Sequence, residues 1–230
     1  NPVQGFHSSA GIRYFKRQND AGKWWSLGVN VNYGFADKRA RPTLFFSKKW
    51  NNISRPRISI TGGVKTAQFN DRDSFLLANN AFSALFDKDN YLKIYEKSFA
   101  QISFSNEIKN GIFLNTSLEY ANRKPLFNTT DFSFKNKAFR YTSNNPLDET
   151  DYTNAAFTEH RIAKLRIGAR FVFGQKYLSY PNRKFNIGND KYPTLNLIYR
   201  KTFGAQNSEL NSDVLIGRLN QEIKTGNYGR

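Results

Sequence analysis

The sequence predicts an all-β chain: an antiparallel, up-and-down transmembrane β-barrel, of which about nine strands fall within the 230 residues. Three observations predict it. Many stretches alternate apolar and polar residues over 10–13 positions. Soluble strands average about 5–6 residues, whereas a tilted membrane strand needs about 9–11. Aromatic residues gather near strand ends, at Tyr14 and Phe15, Trp24 and Trp25, Tyr33 and Phe35, Trp50, Tyr120 and Phe203, as interface girdles do. Consecutive hairpins follow one another without a helical crossover, which is the rhythm of a meander.

A first strand is expected over roughly 5–16, with Phe6, Ala10, Ile12 and Tyr14 on one face. The second is the cleanest: Trp25, Leu27, Val29, Val31, Tyr33 and Phe35 alternate with Ser26, Gly28, Asn30, Asn32 and Gly34, so one face is wholly apolar and the other small or polar. A third spans about 42–50 (Leu44, Phe46, Trp50) and a fourth 57–67 (Ile58, Ile60, Gly62, Val64). The fifth lies near 93–108 (Ala100, Ile102, Phe104) and the sixth over 111–122 (Ile112, Leu114, Leu118, Tyr120). In the seventh, 163–173, Ala163, Leu165, Ile167, Ala169, Phe171 and Phe173 face one way, and Lys164, Arg166, Gly168 and Arg170 the other. An eighth covers 194–203 (Leu195, Leu197, Tyr199, Phe203), and a ninth runs from about 213 (Leu215, Leu219, Ile223).

Short polar turns separate them at Asn19-Asp20-Ala21-Gly22, Ala36-Asp37-Lys38-Arg39, Asn51-Asn52 and Lys109-Asn110-Gly111. Three connections are long: about 68–92, 123–158 and 174–193. The first has room for a short helix, with Phe75, Leu76, Ala78, Asn79, Phe82 and Leu85 at helical spacing. Counting strands places 68–92 and 123–158 on the same side. Membrane barrels keep their longer loops outside, so both are expected to be extracellular and open to partners. No linker divides the chain. Residues 1–230 are therefore expected to be part of one barrel domain, with N-terminal and C-terminal parts of a parent protein beyond them: the chain opens on Asn1-Pro2-Val3 and stops at Asn227-Tyr228-Gly229-Arg230, inside what reads as a strand.

Composition sets the limits. With 39% hydrophobic and 16% aromatic residues, the chain is not a low-hydrophobicity disordered one. No apolar run approaches the ~20 residues of a spanning helix. Cysteine is absent, which removes disulfides, thiolate metal sites and Cys nucleophiles. Lys and Arg number 35 against 18 Asp and Glu, a net charge of +17.

Five segments carry a resemblance: Asn1-Pro2-Val3-Gln4-Gly5-Phe6; Tyr33-Gly34-Phe35-Ala36-Asp37-Lys38; Leu85 through Lys97; Asn122 through Asp131; and Gly174-Gln175-Lys176-Tyr177 leading to Lys191-Tyr192-Pro193. In order and spacing they resemble the barrel region of a Bacteroidota outer-membrane family of uncharacterised function. Its members usually join an N-terminal carboxypeptidase-regulatory-like β-sandwich to a C-terminal barrel. The opening segment departs from the family form at Pro2, where Thr is usual, and at Gln4, where Glu is usual. The resemblance implies the bacterial outer membrane, and it offers no catalytic residues to carry over.

Candidate chemistry is sparse. His7 and His160 have no zinc-protease spacing, and no Gly-x-Ser-x-Gly elbow supports a Ser–His hydrolase. By parity His160 faces the interior near a strand end. Acidic residues group at Asp71/Asp73, Asp87/Asp89 with Asn90, and Asp148/Glu149/Asp151; they read as solvated loop charge, the alternative being a weakly bound cation. The basic residues say more. Lys164, Arg166 and Arg170 share the inner face of one strand, expected to be joined by Arg13, and could favour anions or pair with acids elsewhere in the barrel. Others sit at turns (Lys16/Arg17, Lys38/Arg39/Arg41, Lys48/Lys49, Arg55/Arg57). There they keep hairpins solvated or meet anionic head groups such as those of lipopolysaccharide. A nucleic-acid module joins a basic track to stacking rings; here the rings share the face of Leu, Val and Ile, so no nucleic-acid partner is expected.

The expectation is a non-catalytic outer-membrane barrel, without cofactor or metal. It would act as a scaffold or a subunit of a larger cell-envelope assembly in transport, secretion or outer-membrane biogenesis. Leu27, Val29, Val31, Leu165 and Ile167 would face lipid; Lys164, Arg166 and Arg170 would face the lumen; Trp24, Trp25, Tyr33 and Trp50 would mark the interfaces. Expected partners are outer-membrane lipid, lipopolysaccharide included, and other envelope proteins at 68–92 and 123–158. The alternatives are a soluble basic β-sandwich that binds polyanions and a barrel-wall lipid hydrolase.

Overall fold

The computed structural model describes residues 1–18, 22–69, 77–134, 140–188, 191–204 and 208–222. Nine strands build one antiparallel sheet: β1 (His7–Gln18), β2 (Lys23–Gly34), β3 (Arg39–Lys49), β4 (Arg57–Gln68), β5 (Ile94–Lys109), β6 (Ile112–Pro125), β7 (His160–Val172), β10 (Thr194–Gly204) and β11 (Ser212–Asn220). Sheet order follows chain order, so each expected strand has a counterpart in the meander; Ile223 of the ninth lies outside the described residues. The sheet skips only β8 (Lys176–Tyr180) and β9 (Arg183–Ile187), which pair with each other. That hairpin lies inside the stretch 174–193, expected as a connection. Five-residue strands are too short to show alternation.

Register puts like with like. Tyr14, Leu27, Phe46, Ile60, Ile102, Leu118 and Leu165 are successive cross-strand partners from β1 to β7. They form an apolar row at right angles to the strands. A slip of one residue in any strand would break it. Along β4, Gly63 adopts φ +141°, and a Cβ there would sit 2.2 Å from the Pro42 carbonyl oxygen. Only glycine allows that approach; pairing of β3 with β4 begins there, at Thr43 opposite Gly63.

The two ends of the sheet are closed differently. At one end lie the β2–β3 turn, the connection after β4 with helix α1 (Leu77–Phe86), and the long connection after β6. Its described parts pack together as the strand count predicts: Lys88 pairs with Asp131 at 2.8 Å, Phe134 N donates to Leu85 O, and the single hydroxyl hydrogen of Tyr141 is shared between the Ala84 and Phe132 carbonyls. Phe82 and Phe86 of the helix stack at 4.6 Å; Phe75 and Leu76 of the expected helix lie outside the described residues. The N-terminal segment joins this cap. Val3 is buried against Leu92, Ile94 and Leu126, and Thr129 Oγ1 donates to Val3 O.

Asn144 fastens the cap to β5. Its amide accepts from Ile94 N at 3.0 Å and donates to Ile94 O at 2.7 Å and Leu126 O at 2.6 Å. Asn144→Ala leaves buried backbone groups without partners, and is expected to cost about 1–3 kcal/mol, read as a lowered denaturant midpoint. No change in that midpoint would mean that water replaces the amide without loss.

At the other end the β8–β9 hairpin leaves the end of β7 and docks on the β3–β4 turn. Arg55 Nη2 donates to Lys184 O at 2.6 Å, Lys184 N donates to Asn52 O, and Asn52 bridges Arg183. The hairpin therefore spans the ends of β4 to β7. Among the described residues β1 and β11 are the free edges, and no pairing closes the sheet into a ring. With nine strands, the two edges run in the same direction.

Candidate functional site

One groove of about 780 Å³ takes lining residues from β4, β5, β6, β7 and β10. Strand alternation supplies that lining. Ser26, Ser47, Ser59, Ser103 and Ser117 are successive partners across β2 to β6, and the row continues through Arg166 of β7 to Arg200 of β10; of this row Ser59, Ser103, Ser117 and Arg166 line the groove. Within it the Ser47 and Ser59 hydroxyls lie 2.9 Å apart. The neighbouring row adds Arg57, Asn115 and Gly168.

The groove is electrostatically one-sided. Within the strands, the carboxylates that share this face are Glu107 and Glu119, and both are engaged: Glu107 with Lys184 at 2.6 Å, Glu119 with Lys97 at 2.7 Å. Arg57, Arg166, Arg170 and Arg200 form no ion pair among the described residues. Arg170 lies over the Phe113 ring at 4.3 Å and Arg57 over Trp24 at 5.3 Å.

The expected lumen residues thus fall on one face: Arg166 and Arg170 line the groove, and Lys164 stands opposite Glu119. Arg13 does not join them. It shares the polar face but lies on β1, where it donates to Ser26 Oγ at 3.2 Å and packs over Phe15 and Phe45. Leu27, Val29, Val31, Leu165 and Ile167 all lie on the opposite, apolar face. Trp25 packs there against Tyr14 at 5.2 Å, whereas its neighbour Trp24 turns to the polar face beside Phe15. Tyr33 meets Phe35 edge-on, and Trp50 sits under Lys48. The serine row and Arg200 escaped sequence reasoning. Each serine is an ordinary polar position in its own strand, and only register aligns them.

The remaining candidates have local explanations. Asp151 accepts from Asn154 N and Thr153 N, which hold its carboxyl down to about 2. Asp148 accepts from Thr150, and Glu149 lies 3.4 Å from Lys93. Asp71 and Asp73 lie outside the described residues. Among the described residues no group of three or more acidic or His side chains is placed to hold a metal ion. His160 begins β7, with Nδ1 2.9 Å from Thr158 O and its ring against Phe157. Neither contact is a serine or a carboxylate.

Over residues 1–230 the chain matches the C-terminal domain of a family of unknown function, DUF5686, and it belongs to that family. No curated protein and no solved structure matches it.

Proposed function

We propose that this domain is part of an outer-membrane β-barrel of the bacterial cell envelope, non-catalytic, serving as a scaffold or as a subunit of a larger envelope assembly. One observation carries the reading: the apolar face of the sheet is bare. Leu27 is 49% exposed, Leu44 60%, Ile60 47% and Leu118 48%, and the cross-strand ladder joins these positions into one surface. A contiguous apolar face of this extent needs a partner. A sandwich would cover it with a second sheet, yet the only other sheet among the described residues is the β8–β9 hairpin. Acyl chains fit it better. The polar groove then becomes the interior, and the edges at β1 and β11 call for further strands, since an open edge is costly in hydrocarbon. The connections at 68–92 and 123–158 would face outward, as contacts for other envelope proteins, and basic turns would meet lipopolysaccharide phosphates.

Val29→Arg tests this. If Val29 meets mid-bilayer hydrocarbon, the variant should lose about 2–4 kcal/mol in liposomes, and Asn30→Arg, on the groove side, should lose less. Equal losses would count against lipid contact. The charge of the groove favours one second reading, a soluble basic β-protein that binds polyanions. Such a protein would stay monodisperse without detergent; a barrel would not.

A further inference from the structure

We propose that the groove is the core of a binding site for a soluble phosphate-bearing anion, held by Arg166, Arg170, Arg57 and Ser117 of its lining together with Arg200, the exposed cross-strand partner of Arg166 next to it. The proposal does not depend on what covers the apolar face, because the groove lies on the polar side in either case.

Arg166 and Arg200 are direct cross-strand partners, and like charges placed so are destabilising unless something sits between them. Among the described residues the strands offer no unpaired carboxylate on this face: the two there are held by Lys184 and Lys97. Guanidinium groups are weakly hydrated and present N–H forks that match phosphate oxygens in pairs. Ser117, partner of Arg166 on its other side, adds a hydroxyl donor. Asn196, partner of Arg170, adds an amide. The groove's one lining carboxylate, Glu107, is neutralised by Lys184, and a cleft whose remaining charges are of one sign concentrates counter-ions from solution.

The surroundings select the source of the phosphate. Beside the arginines the groove presents Ser59, Gln101, Ser103, Asn115 and Gly168, with Phe113 and Ile198 as the apolar side chains that register puts on this face. The continuous apolar row of the sheet is on its other side. A lipid headgroup would bring acyl chains for which Phe113, already under Arg170, and Ile198 are too small a surface, whereas a water-soluble phosphate ester or diphosphate brings none. The volume of about 780 Å³ admits a solute larger than phosphate itself, within the range of small-ligand clefts.

The test is calorimetric titration of the full-length protein in zwitterionic detergent with pyrophosphate. Wild type should bind, and Arg166→Gln with Arg200→Gln should weaken binding about tenfold or more. The charge-matched control is Lys16→Gln with Lys48→Gln, on the apolar side, which should leave affinity unchanged. Equal weakening by both pairs would reduce the effect to net charge and overturn the site, as would absence of binding to wild type. A parallel titration compares glycerol phosphate with dihexanoyl phosphatidic acid below its micelle concentration. Similar affinities support a soluble ligand, and a gain of about tenfold from the acyl chains would overturn that assignment in favour of lipid. Circular dichroism of each variant checks that the sheet is retained.

Discussion

Glu107→Ala is expected to release the β8–β9 hairpin from the sheet. Glu107 has a side chain only 1% exposed; it accepts from Lys184 Nζ at 2.6 Å and from Gly111 N at 3.3 Å, with Arg55 Nη1 4.0 Å away. Removing one partner of a buried pair leaves the other charge desolvated and uncompensated, a cost of about 3–5 kcal/mol. The hairpin has little else to hold it. Its strands have five residues each, they are largely exposed, and a two-stranded hairpin is marginal by itself in water. The loss should therefore appear as local opening before global unfolding. Limited proteolysis should cut between Lys176 and Ile187 much faster than in wild type, and hydrogen exchange at Lys184 N should accelerate. Glu107→Met with Lys184→Met should restore protection, because both charges leave together. If the single variant is as resistant as wild type, Arg55 and Asn52 suffice as the anchor.

The partners in that brace are 77 positions apart, and nothing in the sequence couples them. What was legible was whatever repeats within one strand. Val29 and Ile167 each sit in an eleven-residue alternation, so the strands, their faces and their order could be read directly, with boundaries moved by only a few residues. The groove was half legible. Lys164, Arg166 and Arg170 share parity within β7, so their common face followed from period two alone. Arg200 and the serine row depend on register between strands, which turn lengths and bulges determine together. The irregularity between Glu107 and Lys109 is one such shift that composition does not announce. Trp24 and Trp25 show the same boundary from another side: both are aromatics at a strand end, yet adjacent residues must point to opposite faces. Asn144 was invisible for a different reason. Its role is to satisfy three backbone groups of other segments, and an isolated Asn in a long loop has no pattern to betray that.

Arg41→Met should be as damaging at the opposite end. The Arg41 side chain is 1% exposed, yet it carries a full charge between two carboxylates: Nη2 donates to Asp37 Oδ2 at 2.5 Å and Nε to Glu96 Oε2 at 2.9 Å. The planar fork meets two acids from two elements, the β2–β3 turn and β5. It ties together strands separated by β4, whose pairing with β3 does not extend to this end. Arg39 reaches Glu96 as well, at 3.0 Å, but with a side chain 48% exposed, where an ion pair contributes about 0–1 kcal/mol. Arg41 is thus the member whose loss strands Asp37 in a dry environment and leaves Glu96 only the exposed Arg39, at about 3–5 kcal/mol, and Arg39→Met should cost far less. Arg41→Lys separates charge from geometry. A lysine keeps the charge but reaches one carboxylate as a point donor and cannot hold both in one plane, so its stability should fall between wild type and the methionine variant. Chemical denaturation in the same detergent or liposome, followed by tryptophan fluorescence, ranks the three. If Arg41→Met and Arg39→Met prove equal, the buried fork does not hold this end of the sheet, and the hydrogen-bonded cap around Asn144 does so instead.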